Sequence, residues 1–357
     1  MDSANHTGEA DREFDFGDYN ENSASSNYTF SMLKMPWKWN LIVMLIMAVY
    51  GTIVNLALLM VILSNQHLRT VSNTLVGNLA LADTIMFVFS VPSDLVHHFV
   101  LNWPDNSFGN FLCKVSGSSW SLAMALSVAS LTAVSIERFC SICWNVHAKR
   151  YIFILLIVWL FSLSWTVPVL VWSSVVRYGP YLSICHVLPW WHDYVARGFF
   201  TAGFVLKYVI PLLVITCCYV GTAITLAQST PASSVTVRAR RRLAIVVLIL
   251  NISFAICWLP NHAIILHFFY GDIYETYKVS YALFLTFIEI AHVLVYVNSL
   301  LNPIVVFTIS DAHRKPLVHF VRSRLCRQAP ASNRLDRYAE FDQDGIVSET
   351  ECVDVKT

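Results

Sequence analysis

Seven long apolar stretches constrain the fold of this chain more than any other feature of its sequence. Each contains about the 20 residues that an α-helix needs to cross the hydrocarbon core of a bilayer. Backbone N–H and C=O groups cannot stay unpaired in hydrocarbon, so each stretch is predicted to be helical. The composition agrees, since 56% of the 357 residues are hydrophobic and only 13% are charged. The sequence therefore predicts an all-α membrane protein, a seven-transmembrane helix bundle, with spans one to seven at about Trp39–Leu63, Thr74–Val100, Phe111–Cys143, Tyr151–Trp172, Gly198–Leu226, Leu243–Tyr270 and Tyr281–Ile309.

Basic residues between the spans predict the orientation of the bundle. Arg69, Arg150, the cluster at 238–242 and Arg314 all fall on one side, and cytoplasmic loops carry an excess of Lys and Arg. The N-terminal residues fall on the other side and are rich in Asp and Glu. We therefore predict a multi-pass plasma-membrane protein with an extracellular N-terminus. Span one is expected to direct its own insertion, because the residues before it lack the apolar core of a signal peptide.

Two glycosylation sequons lie in the predicted extracellular tail. They are "NHT" at Asn5 and "NYT" at Asn27, and both fit an exposed segment that carries N-linked glycans. A third sequon, "NIS" at Asn251, lies inside span six, where no glycan could be attached. We therefore predict glycosylation at the first two sites only.

Only two of the nine cysteines, Cys113 and Cys185, fall in the predicted outward-facing parts of the bundle. Two thiols in an oxidising compartment favour a disulfide; the alternative is a pair of free, buried cysteines. Cys326 follows a basic segment on the predicted cytoplasmic side, which makes it a candidate palmitoylation site.

Span three carries polar and aromatic side chains on one face. Cys113, Trp120 and Ser127 are spaced by seven residues, and Arg138 lies eleven residues after Ser127. Both intervals are close to whole numbers of 3.6-residue turns, so one stripe is predicted to run from the outside to the cytoplasm. At its inner end Glu137 precedes Arg138, and pairing with an acid lowers the cost of a charge near the membrane. The alternative is an arginine that reaches the lipid headgroups.

Short motifs in most spans occur at mutually consistent positions. They are "GTIVN" in span one, "LALAD" in span two, "SIERF" in span three, "CWLP" in span six and "NSLLNP" in span seven. Together they make the chain resemble the rhodopsin-like (class A) G-protein-coupled receptors, most of all the peptide receptors, over about residues 38–326. The resemblance implies an extracellular tail at 1–37, a seven-span domain at 38–309, a short cytoplasmic amphipathic helix at 310–326 and a disordered cytoplasmic tail at 327–357.

The resemblance also assigns two polar sites inside the bundle. Glu137, Arg138 and Tyr219 match the family's G-protein switch, in which the arginine leaves its neighbouring acid when span six swings outward. A second set matches the family's sodium cavity and consists of Asp83, Ser127, Asn298 and Asn302. A carboxylate among neutral oxygens suits a hard cation, although a hydrogen-bond network without an ion would satisfy the same residues. No other cofactor is expected.

Three positions depart from the family pattern. Val306 stands where the family usually has a tyrosine in span seven, with Phe307 next, so that hydroxyl is missing. Phe139 stands where a tyrosine usually follows the arginine, and His313 replaces the aromatic residue expected early in the cytoplasmic helix. These changes are expected to alter the efficiency of coupling.

The resemblance disfavours light and amines as stimuli. Trp120 stands where amine receptors have an aspartate, and Tyr296 stands where opsins attach retinal. Helical phase and the family pattern instead predict an outer cavity lined by Asp94, His97, Trp120, Met124, Lys207, Trp258, Asn261, His262, Glu289, His292 and Tyr296. Charged groups within apolar spans are typical of functional sites, although each could instead serve interhelical hydrogen bonding.

A cavity of mixed charge suits a peptide, which presents amides and charges of both signs. The loop "VVRYGPYLSICHV" is predicted to form a β-hairpin over this cavity, with Gly and Pro at its turn. The expected partners are a peptide ligand, a heterotrimeric G protein, arrestin and a receptor kinase acting near Ser348 and Thr350, and membrane lipids; no nucleic acid is expected.

Other classes of function were weighed against this one. An enzyme would need a nucleophile and base or a metal motif such as H-E-x-x-H, and the sequence contains none. A transporter would usually contain repeats with broken helices. A scavenger receptor that does not signal, or a receptor for a lipid or another small non-peptide molecule, stays open.

Overall fold

The computed structural model describes residues 38–93, 95, 103–144, 151–178, 182–187, 193–228, 234–271 and 273–328. The chain divides into two compact units, Met1–Val43 and Met44–Thr357. Within the first unit the described part is the beginning of the helix that starts at Lys38. The second unit contains every site discussed below.

All seven predicted membrane spans are confirmed. Spans one to seven lie at Ile42–Ser64, Val71–Ser93, Ser107–Cys143, Ile152–Trp172, Tyr194–Gln228, Ala244–Tyr270 and Thr286–Ile309. The helix of span six begins earlier, at Ser234, and that of span seven at Ile273. These two helices therefore extend beyond the apolar segments from which they were predicted.

Spans two and five each contain a π-helical turn, at Met86–Ser90 and Val205–Val209. Both turns precede a proline, Pro92 or Pro211. Proline has no N–H to donate to the carbonyl four residues earlier, so the α-helical ladder is interrupted at this point. The turn in span five carries Lys207 and Tyr208, which are both buried, and thereby sets the direction of Lys207, a predicted ligand-binding side chain.

Span three is the central helix, and it packs against spans two, four, five and six. Its small residues, among them Ala123, Ser127 and Ser130, are almost completely buried. Small side chains let neighbouring helices approach closely, which drives packing where no water is present. Spans one and four instead expose large apolar side chains such as Ile46, Ile53 and Leu160.

The loop between spans four and five forms the predicted β-hairpin. Strand β1 is Ser174–Tyr178 and pairs antiparallel with strand β2, Leu182–His186. The predicted disulfide is also confirmed, since Cys185 in β2 is bonded to Cys113 at the outer end of span three. The alternative of two free cysteines is therefore wrong.

A further helix, the cytoplasmic helix Asp311–Gln328, follows span seven after Ser310. It continues through Pro316, which lies near its start. The predicted palmitoylation site Cys326 falls in this helix, but its side chain lies outside the described residues, as do Asn5 and Asn27.

Candidate functional site

Aromatic residues join spans three, six and seven in the outer half of the bundle. The ring centroid of Trp120 lies 6.0 Å from that of Trp258 and 5.7 Å from those of His292 and Tyr296. All three contacts are edge-to-face, which is a favourable arrangement for aromatic rings. Trp258 and Tyr296 have no exposed surface. Four of the predicted ligand-binding residues are thus brought together into one aromatic floor.

His262, a predicted ligand-binding residue of span six, contacts aromatic residues of span five. The His262 ring lies 5.0 Å from Tyr208 and 5.5 Å from Phe204. Its Nε2 atom is buried and has no hydrogen-bond partner among the described residues. A buried polar atom without a partner loses its hydration without compensation, so a ligand group that pairs with this nitrogen would be stabilised.

Lys207 is buried in the wall formed by spans four and five. Its Nζ lies 4.6 Å from the centroid of Trp165 and 6.0 Å from that of Phe199. These distances are typical of cation–π contacts. Within the described part of the chain, no carboxylate lies within ion-pair distance of this ammonium group. Among the described residues, its positive charge therefore faces two aromatic rings.

The other predicted ligand-binding residues are placed as follows. Met124, Asn261 and Glu289 are buried within spans three, six and seven. Asp94 and His97 lie outside the described residues.

The predicted sodium site is a polar cluster in the middle of the bundle. Asn302 Nδ2 donates to one carboxylate oxygen of Asp83 at 2.7 Å, and the Ser127 hydroxyl lies 3.4 Å from the other. Asp83 is completely buried. Neutral donors therefore surround a carboxylate in a region where an uncompensated charge is costly.

The predicted set also contains oxygen atoms whose bonding capacity is unused. Both polar atoms of the Asn298 side chain and the Oδ1 of Asn302 are buried without a hydrogen-bond partner in the described part of the chain. Hard cations prefer carboxylate, amide and hydroxyl oxygens. The residues present therefore fit a small hard cation such as sodium.

The cytoplasmic end of span three carries the predicted switch pair. Arg138 Nε lies 3.7 Å from Glu137 Oε2, and the hydroxyl of Ser72 in span two donates to that same oxygen. Glu137 is thus held by two neighbours at once. Arg138 and Tyr219 line one small cavity between spans three, five and six, which brings the three predicted switch residues into one region.

Two departures from the family pattern meet near this switch. Val306 is buried, and its carbonyl accepts from the Ser310 N–H at 3.0 Å. The Ser310 hydroxyl is hydrogen-bonded to Nδ1 of His313 at 2.8 Å. Burial lowers the pKa of the His313 imidazole, and the positive charge of Arg138 lowers that pKa further. His313 is therefore a neutral, buried ring at the start of the cytoplasmic helix.

The hairpin is attached to the outer end of span three and to the loop before it. Besides the disulfide, Arg177 in β1 forms an ion pair with Asp105, and the Val175 N–H donates to Asn110 Oδ1 at 2.9 Å. The Trp103 N–H donates to the Ser183 carbonyl at 2.8 Å. These tethers hold both strands over the outer end of span three.

Some residues of the site were not predicted from the sequence. Ser72 is 65 positions away from its partner Glu137, and no local motif marks it. Trp165 and Phe199, which enclose Lys207, read as ordinary apolar residues of spans four and five. The helical phase of the apolar faces could have indicated that they point inward, but not which side chain they contact.

Comparison with known proteins adds independent evidence. The family model described as "7 transmembrane receptor (rhodopsin family)" matches residues 54–305. The galanin receptor 2b of Danio rerio is 30% identical over 275 residues, which cover 74% of this chain and 70% of that receptor. The neuropeptide CCHamide-1 receptor of Drosophila melanogaster is 31% identical over 317 residues, 82% of this chain and 61% of that protein. The neuropeptide FF receptor 1 of Rattus norvegicus is 27% identical over 290 residues, 74% of this chain and 66% of that receptor.

Proposed function

The chain belongs to the rhodopsin family of seven-transmembrane receptors, and from that premise we propose that it binds an extracellular peptide and signals to heterotrimeric G proteins. It is a multi-pass membrane protein and a receptor rather than an enzyme. In the proposed orientation the N-terminus is extracellular and the receptor acts at the plasma membrane.

The buried ammonium group of Lys207 is the observation that carries the proposal. A lysine in an apolar span is costly unless it is paired or serves a function, and this one contacts only aromatic faces among the described residues. An anionic ligand group would supply the missing counter-charge. His262 Nε2 offers a further unused polar atom, so the site suits a ligand with several polar groups, as a peptide has.

The relatives support the same class of ligand. The proteins that match this chain are named as receptors for galanin, CCHamide-1 and neuropeptide FF. These ligands differ from one another in their names, so the comparisons support a peptide in general and leave the individual peptide open.

The proposed signal runs along span three. A peptide that rests on Trp120 would change its contact with Trp258 in span six. At the cytoplasmic end, outward movement of span six would open the cavity beside Arg138 and Tyr219. The opened cavity is the proposed docking site of the G protein, and later of arrestin after phosphorylation of the tail by a receptor kinase.

A sodium ion is proposed as an allosteric ligand of the resting state. Asp83, Ser127, Asn298 and Asn302 would hold it, and the ion would supply the positive charge that the buried carboxylate lacks. A ligand that prefers one of two states shifts their equilibrium by its difference in affinity.

A screen of peptide libraries on membranes containing this chain tests the proposed function. Nucleotide exchange on a set of purified heterotrimers would report coupling, and the active peptide would then be tested on Lys207→Met. Removing one partner of a buried charge pair costs roughly 3–5 kcal/mol, so affinity should fall by at least about a hundredfold. Neutralising the contacting anionic group of the peptide should weaken its binding to the wild-type chain but should not weaken its binding to Lys207→Met further.

Lys114→Met provides the matched control. This lysine lies in span three and, like Lys207, contacts span four, but its Nζ donates to the carbonyls of Leu170 and Val171 at 2.9 and 2.8 Å. Peptide affinity should remain close to that of the parent. The proposal is wrong if the only ligand is an uncharged lipid, or if peptides are bound and internalised without nucleotide exchange on any heterotrimer.

A further inference from the structure

Asn251 is a buried polar residue in span six. Its side chain is 4% exposed, and its Nδ2 donates to the Ser135 hydroxyl of span three at 3.2 Å. The Ser135 hydroxyl donates its own proton to the carbonyl of Leu131 at 2.8 Å, which leaves the oxygen free to accept. The geometry therefore defines a direct interhelical hydrogen bond with one donor and one acceptor.

Only half of the Asn251 amide is satisfied. Its Oδ1 is buried and has no hydrogen-bond partner among the described residues. A fully bonded amide would fix span six firmly, whereas a half-satisfied amide keeps part of its desolvation penalty. The bond to Ser135 is therefore favourable but weak. A weak bond of this kind can open during signalling.

The bond lies beside the cytoplasmic switch. Asn251 and Ser135 line the same cavity as Arg138, Tyr219 and Thr222, and this cavity has a volume of only about 20 Å³. The cavity is formed by side chains from spans three, five and six. Any movement of span six away from span three must enlarge it and break the bond between Asn251 and Ser135.

We propose that the hydrogen bond between Asn251 and Ser135 is a latch that holds span six against span three in the resting receptor. Asn251 is then a positioning residue of the switch, because it acts on Arg138 through the position of span six. The inference rests on the proposed function, since it assumes that opening of span six is the signalling movement.

A double-mutant cycle tests the latch. Ser135→Ala removes the acceptor and should raise agonist-free nucleotide exchange per receptor by about two- to tenfold, the range expected for one hydrogen bond. In the Asn251→Leu background the donor is already gone, so Ser135→Ala should change basal exchange by less than about twofold. Ser135→Cys repeats the comparison if the alanine variant fails to reach the membrane.

Two control variants separate the latch from ordinary helix bonding. The Ser253 hydroxyl is hydrogen-bonded to the Leu250 carbonyl of its own helix, and the Thr132 hydroxyl is bonded to the Val128 carbonyl of its own helix. Ser253→Ala lies on span six, and Thr132→Val lies on span three, about one turn from Ser135 and outside the cavity lining. Both should leave basal exchange unchanged.

A distance measurement makes the test independent of G-protein coupling. Spin labels on p-acetylphenylalanine introduced at His67 and Ile245, both exposed on the cytoplasmic side, would report the separation of span six from the short helix before span two. Ser135→Ala should increase the population at long distance by the same two- to tenfold factor, again only when Asn251 is present.

The outcomes distinguish the two proposals. If the long-distance population rises but no variant stimulates exchange on any heterotrimer, the latch stands and the proposed coupling fails. If the parent couples but Ser135→Ala has the same effect with and without Asn251, or no effect in either readout, the latch is wrong.

Discussion

The single residue Asp83 illustrates how a buried carboxylate can serve as the binding site of a regulatory cation. The carboxylate is fully buried and accepts from Asn302 at 2.7 Å, while amide atoms of Asn298 in the same cluster have no partner in the described part of the chain. Neutral hydrogen bonds reduce the cost of burying a charge but do not cancel it. A cation among these oxygens would satisfy both the carboxylate and the unused amide oxygens.

We therefore expect Asp83→Asn to abolish stabilisation by sodium. A ligand present at about ten times its Kd adds roughly 1.4 kcal/mol to the free energy of unfolding. The purified parent should melt at a higher temperature in NaCl than in KCl of equal ionic strength, whereas the variant should melt equally in both salts.

Ser130→Ala is the control for this experiment. The Ser130 hydroxyl accepts from Asn78 at 2.8 Å and belongs to a different polar contact between spans two and three. Its sodium response should match that of the parent. If Asp83→Asn keeps the full difference in melting temperature between NaCl and KCl, the buried cluster is a hydrogen-bond network that holds no ion.

Among the described structural elements, the hairpin and the loop before span three are tied to the outer end of span three by several contacts. The disulfide fixes β2 to span three, and Asn106 Oδ1 accepts from the Gly109 N–H at 2.8 Å to begin that span. The indole N–H of Trp103 donates to the Gly109 carbonyl at 2.8 Å. Gly109 is thus a point where the loop folds back tightly on the helix.

Gly109→Ala should therefore destabilise the outer face. A β-carbon at this position would lie 1.6 Å from the Pro104 carbonyl oxygen, so the backbone would have to move. Forcing extra atoms into a packed site typically costs about 1–3 kcal/mol. We expect lower surface expression and a melting temperature several degrees below that of the parent.

Gly198→Ala is the matched control on the outer part of span five. A β-carbon there would meet no atom within 4 Å, and alanine favours a helix over glycine by about 1 kcal/mol. The control should melt at the same temperature as the parent or slightly higher. If both variants were equally well tolerated, the close approach of Gly109 to Pro104 would not be a feature of the folded receptor.

The same elements separate what the sequence could predict from what it could not. The hairpin was predictable because β-prone residues flank a Gly-Pro turn, and the disulfide because topology left only two cysteines outside. The ion pair between Asp105 and Arg177 and the backbone bond between Trp103 and Ser183 were not, since both depend on how two loops meet. The π turns at Met86–Ser90 and Val205–Val209 also went unpredicted, although the prolines that follow them are visible.

For the whole molecule, hydropathy predicts the seven spans but does not predict which residues of different spans contact one another. Asn302 binds Asp83 across 219 positions, and Asn55 donates to the Ser299 carbonyl across 244. Hydropathy cannot predict such pairs, because it measures only how apolar each segment is, and all seven spans share the same apolar surroundings. The resemblance to a family placed Asp83 and Asn302 in one site, whereas Asn251 lies outside the quoted motifs and its contact with Ser135 was not predicted.

The net formal charge of +1 conceals a strong separation of charge along the chain. Residues 1–37 contain Asp2, Glu9, Asp11, Glu13, Asp15, Asp18 and Glu21, and only Arg12 and Lys34 oppose them. The arginines at 238–242 lie at the opposite end of the bundle in the proposed orientation, in the part of the span-six helix that precedes its apolar segment. In the proposed orientation, the outer face therefore presents an acidic tail, and Tyr19 in "DFGDYN" is a candidate sulfation site that would make it more acidic. Such a field attracts basic ligands before they reach the bundle.

Replacing the seven acidic residues of the tail by Asn or Gln should therefore slow the association of a basic peptide agonist more than it speeds dissociation. The effect should be several-fold in dilute salt and should shrink as ionic strength rises, because the Debye length falls from about 30 Å at 0.01 M to about 8 Å at 0.15 M. Stopped-flow binding to the receptor in nanodiscs gives both rates.

Tyr19→Phe should give a smaller change of the same sign if that tyrosine is sulfated, and replacing Asn5 and Asn27 by Gln controls for loss of glycans without change of charge. Unchanged association rates at low salt would mean that the tail takes no part in peptide capture, and a dissociation rate that rises more than the association rate falls would mean that the tail contacts the bound peptide directly.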